Sequence, residues 1–231
     1  MVNSSDIRNV ILIGHGGSGK TSLAEAMLHK TGATNRLGSV DEKTSICDYY
    51  DEEKEHQHSI LSATVHVTHA GKLINLIDTP GYPDFTGSAI KAIPAAETAI
   101  LVIGASAGIE TNTRKMFQLV TEAGMPRIIV INKMDADNVI FSELIQNIRE
   151  TFGSQCRCAN LPTADKTGVI DCVENESGDS PVMDVGQAHT ELIESVIEAN
   201  DDLMESYLSG EEISAEKITA VFVEALKAGT V

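Results

Sequence analysis

The stretch GHGGSGKT, residues 14–21, decides the fold of this chain. It matches the pattern G-x-x-x-x-G-K-[ST] and stands between an apolar run that begins at Ile7 and a helical stretch that ends at Lys30. Glycines let the backbone wrap closely so that its N–H groups point inward, and the start of the helix adds positive potential. The sequence therefore predicts a P-loop NTPase fold with phosphate held in this loop.

Two side chains of this loop carry chemistry that a structural turn does not need. We expect Lys20 to reach the outer phosphates of a nucleotide and Thr21 to bind a magnesium ion through its hydroxyl. A glycine-rich turn that served the fold alone would need neither residue. The lysine and the threonine therefore favour nucleotide binding over a purely structural loop.

A second motif, Asp78-Thr79-Pro80-Gly81, ends the hydrophobic run LINLID, residues 73–78. An acid at this place can hold magnesium through water, and the N–H group of Gly81 can contact the terminal phosphate. Turns made of Asp, Pro and Gly are common, so the motif alone indicates little. Its position at the end of a predicted sheet strand favours the functional interpretation.

A third motif, Asn132-Lys133-Met134-Asp135, follows the strand RIIVI, residues 127–131, and indicates which base is bound. Guanine presents an N1–H and an amine on one edge, so the carboxylate of Asp135 can accept both. Adenine cannot supply them, and a site built on such donors rejects an analogue without them by on the order of 10⁴-fold. We expect Lys133 to lie along the base and Asn132 to tie this loop to the phosphate loop. The motif predicts GTP and GDP as ligands and disfavours a P-loop kinase or ATPase.

Strands and helices alternate around these motifs. The predicted strands lie at residues 7–14, 60–68, 72–78, 98–104 and 127–131, and the predicted helices at 21–30, 111–123 and 141–152. A hairpin is expected at Ala70-Gly71, and the polar stretch 31–58 shows no period and is expected to be a mobile loop. This alternation predicts an α/β fold, with a mainly parallel sheet covered by helices on both faces.

The pattern changes after Phe152. We expect a strand at 168–174 and then two acidic helices with core-facing apolar stripes, at 192–208 and 218–226, the second after a cap at Ser214. This part of the chain is therefore predicted to be a small acidic α+β subdomain.

Charge and composition exclude several classes of function. The 231 residues carry a net charge of −17, of which −14 falls on residues 136–231, where 5 Lys or Arg stand against 19 Asp or Glu. Binding along a phosphate backbone needs clustered Lys and Arg, so we expect no direct broad nucleic-acid binding. Neither an 18-residue apolar stretch nor a secretory signal is present, which predicts a cytoplasmic protein without membrane partners. The four cysteines are expected to be free thiols.

Together the motifs resemble the translational GTPases, and within them the elongation factor G-like subgroup. The resemblance runs across nearly the whole chain, and it is carried by GHGGSGKTSLAEAML at 14–28, NLIDTPGYPDF at 75–85, GASAGIE at 104–110 and VINKMD at 130–135. It implies a GTP-binding domain core at 1–152, an acidic inserted subdomain at 153–227 and the start of a final core strand at 228–231. It also implies GTP hydrolysis with Mg²⁺, coupled to a conformational switch on the ribosome, whose stalk protein is a further expected partner.

Three residues depart from the pattern of that family. Gly17 stands where many members place Asp in the phosphate loop, which disfavours a bound monovalent cation. Ser59, within the stretch His56–Ile60, takes the place of the magnesium-binding threonine and can act only through the same hydroxyl. Tyr82 takes the place of the usual catalytic histidine, and a phenol is a poor general base, although its hydroxyl can orient water.

A fourth departure is the last base-binding loop, a Ser-Ala pair after a final strand, which the sequence does not contain at the expected place. The chain is therefore expected to be a truncated nucleotide domain of a longer factor. We predict a GTPase with low intrinsic activity; the alternative is a very slow or non-hydrolysing guanine-nucleotide switch that regulates another process.

The predicted site residues fall into three groups. The residues predicted to bind the nucleotide are Gly14, His15, Gly16, Gly17, Ser18, Gly19, Lys20, Thr21, Ser22, Asn132, Lys133 and Asp135. The predicted metal ligands are Thr21, Ser59 and Asp78, and the predicted catalytic residues are Lys20, Gly81 and Tyr82.

Overall fold

A computed structural model describes residues 3–209 and 215–228 of the chain. The chain divides into two compact units, the first ending at Met134 and the second beginning at Asp135. The domain limits predicted at residues 152 and 227 stay a prediction.

The first unit is built on one sheet. Its strands are β1 (Ile7–Ile13), β2 (Ala63–His69), β3 (Lys72–Asp78), β4 (Thr98–Gly104) and β5 (Arg127–Asn132). They lie in the order β2-β3-β1-β4-β5, and all neighbouring strands are parallel except β2 and β3. The mainly parallel sheet predicted from the sequence is confirmed. Because β1, β3, β4 and β5 are parallel, the loops that follow them emerge at the same end of the sheet, where ligands of such sheets bind.

The α-helices described in this unit are α1 (Lys20–Lys30), α2 (Asp51–His56), α3 (Thr86–Ala92) and α4 (Thr111–Glu122), with 3₁₀ turns at Ser4–Asp6, Pro83–Phe85 and Ile93–Ala95. Leu12 of the sheet packs with Ala24 of α1, and Leu76 packs with Leu28. Helix α4 packs against β4 and buries Met116. Leu12 of β1 and Ile100 of β4 lie on the sheet face that packs on α1. Their neighbours along the strands point to the opposite face and are buried as well, namely Ile11, Ile13, Leu101 and Ile103. Apolar side chains are therefore buried on both faces of the sheet.

Helix α2 lies inside the polar stretch 31–58, where the sequence predicts no element. Its six residues are too few and too polar to show a helical period. Glu53 holds its start by accepting the Tyr50 N–H at 3.1 Å, and Gln57 ends it in the left-handed region with φ of 55°. A local carboxylate and one turn residue thus produce a helix that periodicity alone does not reveal.

The β2–β3 hairpin turns at Ala70-Gly71, as predicted, and both residues have positive φ, which suits a two-residue hairpin. Strand β2 begins at Ala63, three residues later than the predicted start at Ile60. The N–H groups just before it are bonded to side chains, including Ser62 to Ser88 Oγ at 2.9 Å, so they do not enter the ladder.

The second unit has its own small core. Its elements are α5 (Phe141–Phe152), β6 (Asn160–Pro162), β7 (Val169–Asp171), α6 (Val185–Glu198), α7 (Asp201–Leu208) and α8 (Ala215–Ala228). Strands β6 and β7 are antiparallel, and Leu161 and Cys172 pack with Val185, Ala188 and Leu192 of α6. Its composition of short strands and helices agrees with the α+β character predicted for this part of the chain.

Two predicted elements of this unit need correction. Of the strand predicted at 168–174, only Val169–Asp171 forms a strand, β7. The chain turns after it because the Asp171 side chain accepts the Val173 N–H at 2.8 Å. The single helix predicted along the stripe 192–208 is two helices, since Asn200 Oδ1 accepts the Leu203 N–H at 3.0 Å and starts α7. Ser214 and residues 229–231 lie outside the described residues, so the cap and the final strand predicted there stay predictions.

All four cysteines are free thiols. Cys47 is buried with Leu12 and Ala24, and burial raises the pKa of its thiol. Burial also raises the pKa of Cys172 to about 11. Among the helices in the described part of the chain, none has the length and apolar character that crossing a bilayer requires.

Candidate functional site

The phosphate loop, residues 14–19, joins β1 to α1. Gly14 has φ of 142° and Gly19 has φ of 94°, in the region that favours glycine. A β-carbon at Gly14 would collide with the carbonyl oxygen of Val102, and one at Gly19 would collide with the side-chain amide of Asn132. Glycine at these two positions lets the loop lie against β4 and against the end of β5.

Lys20 lies under this loop with 5% of its surface exposed. Its Nζ donates to the carbonyl oxygens of His15, at 2.8 Å, and Gly14, at 3.3 Å. Burial lowers the pKa of this ammonium to about 8, although Asp78 and Glu110 act in the opposite direction. The amine thus spans the inside of the loop, where anionic phosphate oxygens would stabilise its charge.

Three predicted metal ligands meet at the start of α1. Thr21 Oγ1 donates to Asp78 Oδ2 at 2.7 Å, and the hydroxyl oxygens of Thr21 and Ser59 lie 3.3 Å apart. Asp78 is 1% exposed, and burial raises its pKa to about 6, against the opposing effects of the Thr21 hydrogen bond and the Lys20 charge. The structure therefore brings all three together, two hydroxyls and one carboxylate.

Buried polar atoms without a hydrogen-bond partner are rare in folded proteins. Among the side chains that the structure describes, at residues 3–209 and 217–226, the buried nitrogen and oxygen atoms without one are His15 Nδ1, Ser18 Oγ, Glu25 Oε2 and Asp78 Oδ1. Two of the four lie on the phosphate loop, and a third is on the carboxylate beside Thr21. Each such atom costs roughly 1–3 kcal/mol unless a ligand satisfies it, so the gathering of three here indicates a ligand site.

The side chains of Thr21, Ser59 and Asp78 form what we call the metal corner, and their oxygen atoms fit Mg²⁺. Magnesium takes oxygen ligands, keeps several waters and binds through one or two carboxylates together with phosphates. Asp78 offers its unpaired Oδ1, and Thr21 and Ser59 offer hydroxyls. The described residues contain no group of three His, Cys, Asp or Glu side chains suited to a metal, and a site completed by phosphate and water needs none.

The loop after β5 is tied to the phosphate loop. Asn132 Nδ2 donates to the carbonyl oxygen of Ser18 at 3.0 Å, and the Asn132 carbonyl in turn accepts the Ala105 N–H at 2.8 Å. Lys133 follows with φ of 57°, and its Cε lies near Gly19. Asp135 comes two residues later and is exposed. Three β-strand ends thus contribute to one locality of the first unit, at residues 14–21, 78–82 and 132–133.

Tyr82 lies over the phosphate loop. A β-carbon at Gly16 would come within 2.9 Å of the Tyr82 ring, and one at Gly81 would collide with Lys20 Nζ, so both glycines are in close contact with their neighbours. Tyr82 is 41% exposed. Gly81 and Tyr82 therefore lie beside Lys20 and the phosphate loop, as the predicted catalytic roles require, whereas Ser22 is exposed on α1.

The fold and this geometry agree with the comparisons with known proteins. Residues 5–230 match the family model of the elongation factor Tu GTP binding domain. The chain belongs to this family. It is a G domain of the translational GTPase type, and it therefore binds guanine nucleotide.

Relatives of this G domain include an elongation factor G and an elongation factor G-like protein. It is 34% identical over 237 residues to an elongation factor G-like protein of Mycobacterium tuberculosis, covering 97% of this chain and 33% of that protein. It is 32% identical over 238 residues to elongation factor G of Fervidobacterium nodosum, covering 95% of this chain and 34% of that protein. A crystal structure of a protein from Thermus thermophilus superposes with a TM-score of 0.88 at 32% identity, over 98% of this chain and 36% of that one. The chain thus spans about a third of the length of these relatives.

The G domain has a second buried carboxylate beside the metal corner, which the sequence did not single out. Asp48 is 2% exposed, and its Oδ1 accepts the Ser59 hydroxyl at 2.9 Å. Burial raises the pKa of Asp48, and nearby Glu53 acts in the same direction. Asp48 holds Ser59 in place opposite Thr21, a role that no local motif indicates.

Two glutamates of the G domain fasten the segment that carries Ser59. Glu53 Oε1 accepts the N–H groups of Ile60 and Leu61 at 2.9 and 3.0 Å. Glu25, which is fully buried on α1, accepts the Ser45 hydroxyl at 2.8 Å. The later part of the polar stretch predicted to be a mobile loop is therefore held by buried carboxylates.

Helix α4 fastens the Gly81 turn of the G domain. Asn112, only 2% exposed, donates from Nδ2 to the Gly81 carbonyl oxygen at 2.8 Å. Just before it, Glu110 pairs with His15 Nε2 at 3.3 Å. These contacts connect the Gly81 turn and the phosphate loop to the loop GASAGIE and to α4. The resemblance to the family was the only sequence signal for a role of this loop and helix.

Proposed function

We propose that this domain binds GTP and GDP with Mg²⁺ and hydrolyses GTP, as the nucleotide-driven switch of a ribosome-linked factor. The observation that carries the proposal is the gathering of unpaired buried atoms, Ser18 Oγ and Asp78 Oδ1 among them, around the buried amine of Lys20. A triphosphate with a magnesium ion supplies the oxygens and the positive charge that such atoms need.

Binding would divide among three loops. The N–H groups of residues 16–21 and the Lys20 amine would hold the β- and γ-phosphates, with Lys20 exchanging its bonds to the Gly14 and His15 carbonyls for bonds to phosphate oxygens. Thr21, Ser59 and Asp78 would hold Mg²⁺, which offsets phosphate charge when bound. Asp135 and Lys133 would recognise guanine, and Asn132 would keep their loop against the phosphate loop.

Hydrolysis would depend on charge and position. Lys20 and the Gly81 N–H would stabilise the charge that develops on the γ-phosphate, and the Tyr82 hydroxyl would orient the attacking water. A phenol is a weak base and therefore accepts a proton poorly from the attacking water. We therefore expect intrinsic turnover well below the roughly 1 to 10³ per second of typical enzymes.

Competition titrations with labelled nucleotide test the base assignment. Fluorescent GDP bound to the purified chain is displaced by GTP, GDP, ATP or XTP, with and without Mg²⁺. We expect guanine nucleotides to compete at least 10²-fold better than ATP. Asp135→Asn should shift the preference toward XTP, because the amide can donate where the carboxylate only accepts. Equal competition by ATP would overturn the assignment.

A second candidate is a regulatory switch that hydrolyses GTP very slowly or not at all. It is favoured by Tyr82, whose ring lies against Gly16 and offers no strong base. The rate of single-turnover hydrolysis of γ-labelled GTP by the wild-type chain separates the candidates, and the Tyr82→Phe chain tests the hydroxyl. A loss of turnover in the Phe variant supports water orientation by the hydroxyl, whereas equal rates assign the ring a packing role.

The ribosome is the partner we propose for the factor, in the cytoplasm. The −14 charge of residues 136–231 suits a basic surface on a protein partner, for which we propose the stalk protein, and the attraction should weaken with salt. A pull-down of stalk protein at low and high salt, repeated with residues 153–227 deleted, tests this. Binding that survives the deletion would assign the contact to another part of the chain.

A further inference from the structure

His58 has a defined place immediately before Ser59. Gln57, in the left-handed region, ends α2 and reverses the chain, and the His58 N–H donates to the Glu53 carbonyl at 3.2 Å. His58 Nδ1 lies 3.0 Å from the His56 carbonyl oxygen. A carbonyl only accepts, so Nδ1 is the donor in this bond, which fixes the orientation of the imidazole ring.

The ring of His58 packs against two aromatic side chains of the Gly81 turn. It meets the Tyr82 ring edge-on, with centroids 5.0 Å apart, and it stacks on Phe85 at 5.8 Å. Tyr82 in turn lies against the backbone of Gly16. A continuous line of contacts therefore runs from Phe85 through His58 and Tyr82 to the phosphate loop.

We propose that His58 is a positioning residue that holds the Tyr82 ring on the phosphate loop. Its neighbour Ser59 is fixed by Asp48 opposite Thr21, so the same backbone segment that completes the metal corner also delivers the ring that orients Tyr82. Displacement of Ser59 from its site would therefore also carry away the imidazole ring that packs on Tyr82. The inference rests on the proposed function for its catalytic consequence but not for the ring contact itself.

The ring contact is tested directly by ¹⁹F NMR on the chain labelled with 3-fluorotyrosine. The chain has four tyrosines and no tryptophan, so four signals are expected, and Tyr82→Phe identifies the signal of Tyr82. His58→Ala should move and broaden that signal, because the ring current of the imidazole is lost and the phenol gains freedom. His58→Phe should restore a narrow signal, since it keeps an aromatic ring at this place.

Two matched variants separate ring packing from other effects. His58→Asn keeps a hydrogen-bond donor without an aromatic ring, and it should behave like His58→Ala. His69→Ala removes an exposed histidine at the end of β2, and it should leave the Tyr82 signal unchanged. An unmoved Tyr82 signal in His58→Ala would overturn the proposal, whether or not the chain hydrolyses GTP.

The catalytic consequence is measured as single-turnover GTP hydrolysis. An aromatic pair of this kind contributes modestly, so turnover in His58→Ala should fall roughly three- to tenfold, with KM for GTP changed less than about twofold. In a Tyr82→Ala background, His58→Ala should cause no further loss, because the residue it positions is absent. Additive losses in the double variant would overturn the positioning role, and an inactive wild type with an intact NMR result would contradict the proposed function alone.

Discussion

Two aspartates show how differently the two units hold a carboxylate. Asp78, at the end of β3, is buried, has one oxygen bonded to Thr21 and the other without a partner, and has its pKa raised to about 6 by burial. Asp165, in the loop after β6, is exposed, and hydrogen bonds from Thr163 and Thr167 lower its pKa to about 2. A buried carboxylate with an unused oxygen is prepared for a ligand, whereas an exposed and fully bonded one shapes a turn.

The largest expected effect comes from Asp78→Asn. The amide keeps an oxygen for the Thr21 hydroxyl but loses the charge that holds magnesium, so Mg²⁺-dependent GTP affinity should fall on the order of 10²-fold or more. Stability in the absence of nucleotide should not fall, because a buried charge without a full set of partners is removed. Nucleotide titration and urea denaturation measure the two quantities on the same samples.

Asp165→Asn is the matched control for that comparison. It should leave nucleotide affinity unchanged and lower stability slightly, since the turn loses charge-assisted hydrogen bonds. An equally large loss of GTP affinity in Asp165→Asn and in Asp78→Asn would contradict the different roles given to the two aspartates.

Glu53 is buried like Asp78, but both of its carboxylate oxygens accept hydrogen bonds. It therefore shows the effect of a buried carboxylate that has no unpaired oxygen. Glu53→Ala should reduce the free energy of unfolding by about 2–3 kcal/mol, through N–H groups left without acceptors. Glu55→Ala, an exposed change in the same helix, should stay within about 0.5 kcal/mol. Urea unfolding at neutral pH compares them, and equal losses would show that Glu53 is not a fastening residue.

The pH dependence of stability provides a smaller effect. Since the folded pKa of Asp78 lies above its ordinary value of 3.8, its contribution is fully present below pH 3.8 and is lost as pH rises through about 6. The nucleotide-free wild type should therefore lose about 2–3 kcal/mol over this window relative to Asp78→Asn. Urea unfolding of both chains between about pH 4 and 7 measures the difference, and parallel curves would contradict the raised pKa.

The smallest effect concerns Asp165. Its lowered pKa means that its contribution is present above pH 3.8 and is lost as pH falls through about 2. Thr163→Val removes the hydrogen bond that lowers this pKa most, so the pKa should rise toward 3.8. Carboxyl ¹³C NMR titration follows it directly. Thr190→Val, which removes a hydroxyl bonded to the Gly186 carbonyl, should leave the titration of Asp165 unchanged.

What the sequence predicted well are features that local residues determine. The phosphate loop follows from glycines and a lysine within eight positions, and the sheet follows from apolar runs bounded by turns. Asn112 was missed because its partner Gly81 lies 31 residues away, and no pattern near Asn112 indicates that contact. Asp48 was missed for the same reason, since its role appears only when Ser59 folds back beside it. The break at Asn200 was missed because the apolar stripe continues across it.

The buried thiol of Cys47 reports how often the segment between Glu25 and Glu53 opens. The Cys47 N–H lies 3.3 Å from Glu25 Oε1, and its side chain packs on Leu12 of the sheet with 2% of the residue exposed. An alkylating reagent therefore reaches the sulfur only when this segment opens. The rate of alkylation at Cys47, followed by mass spectrometry of its peptide, therefore measures openings in the unmodified chain. Any nucleotide that locks Ser59 against Thr21 would slow that rate without a label or a substitution being introduced.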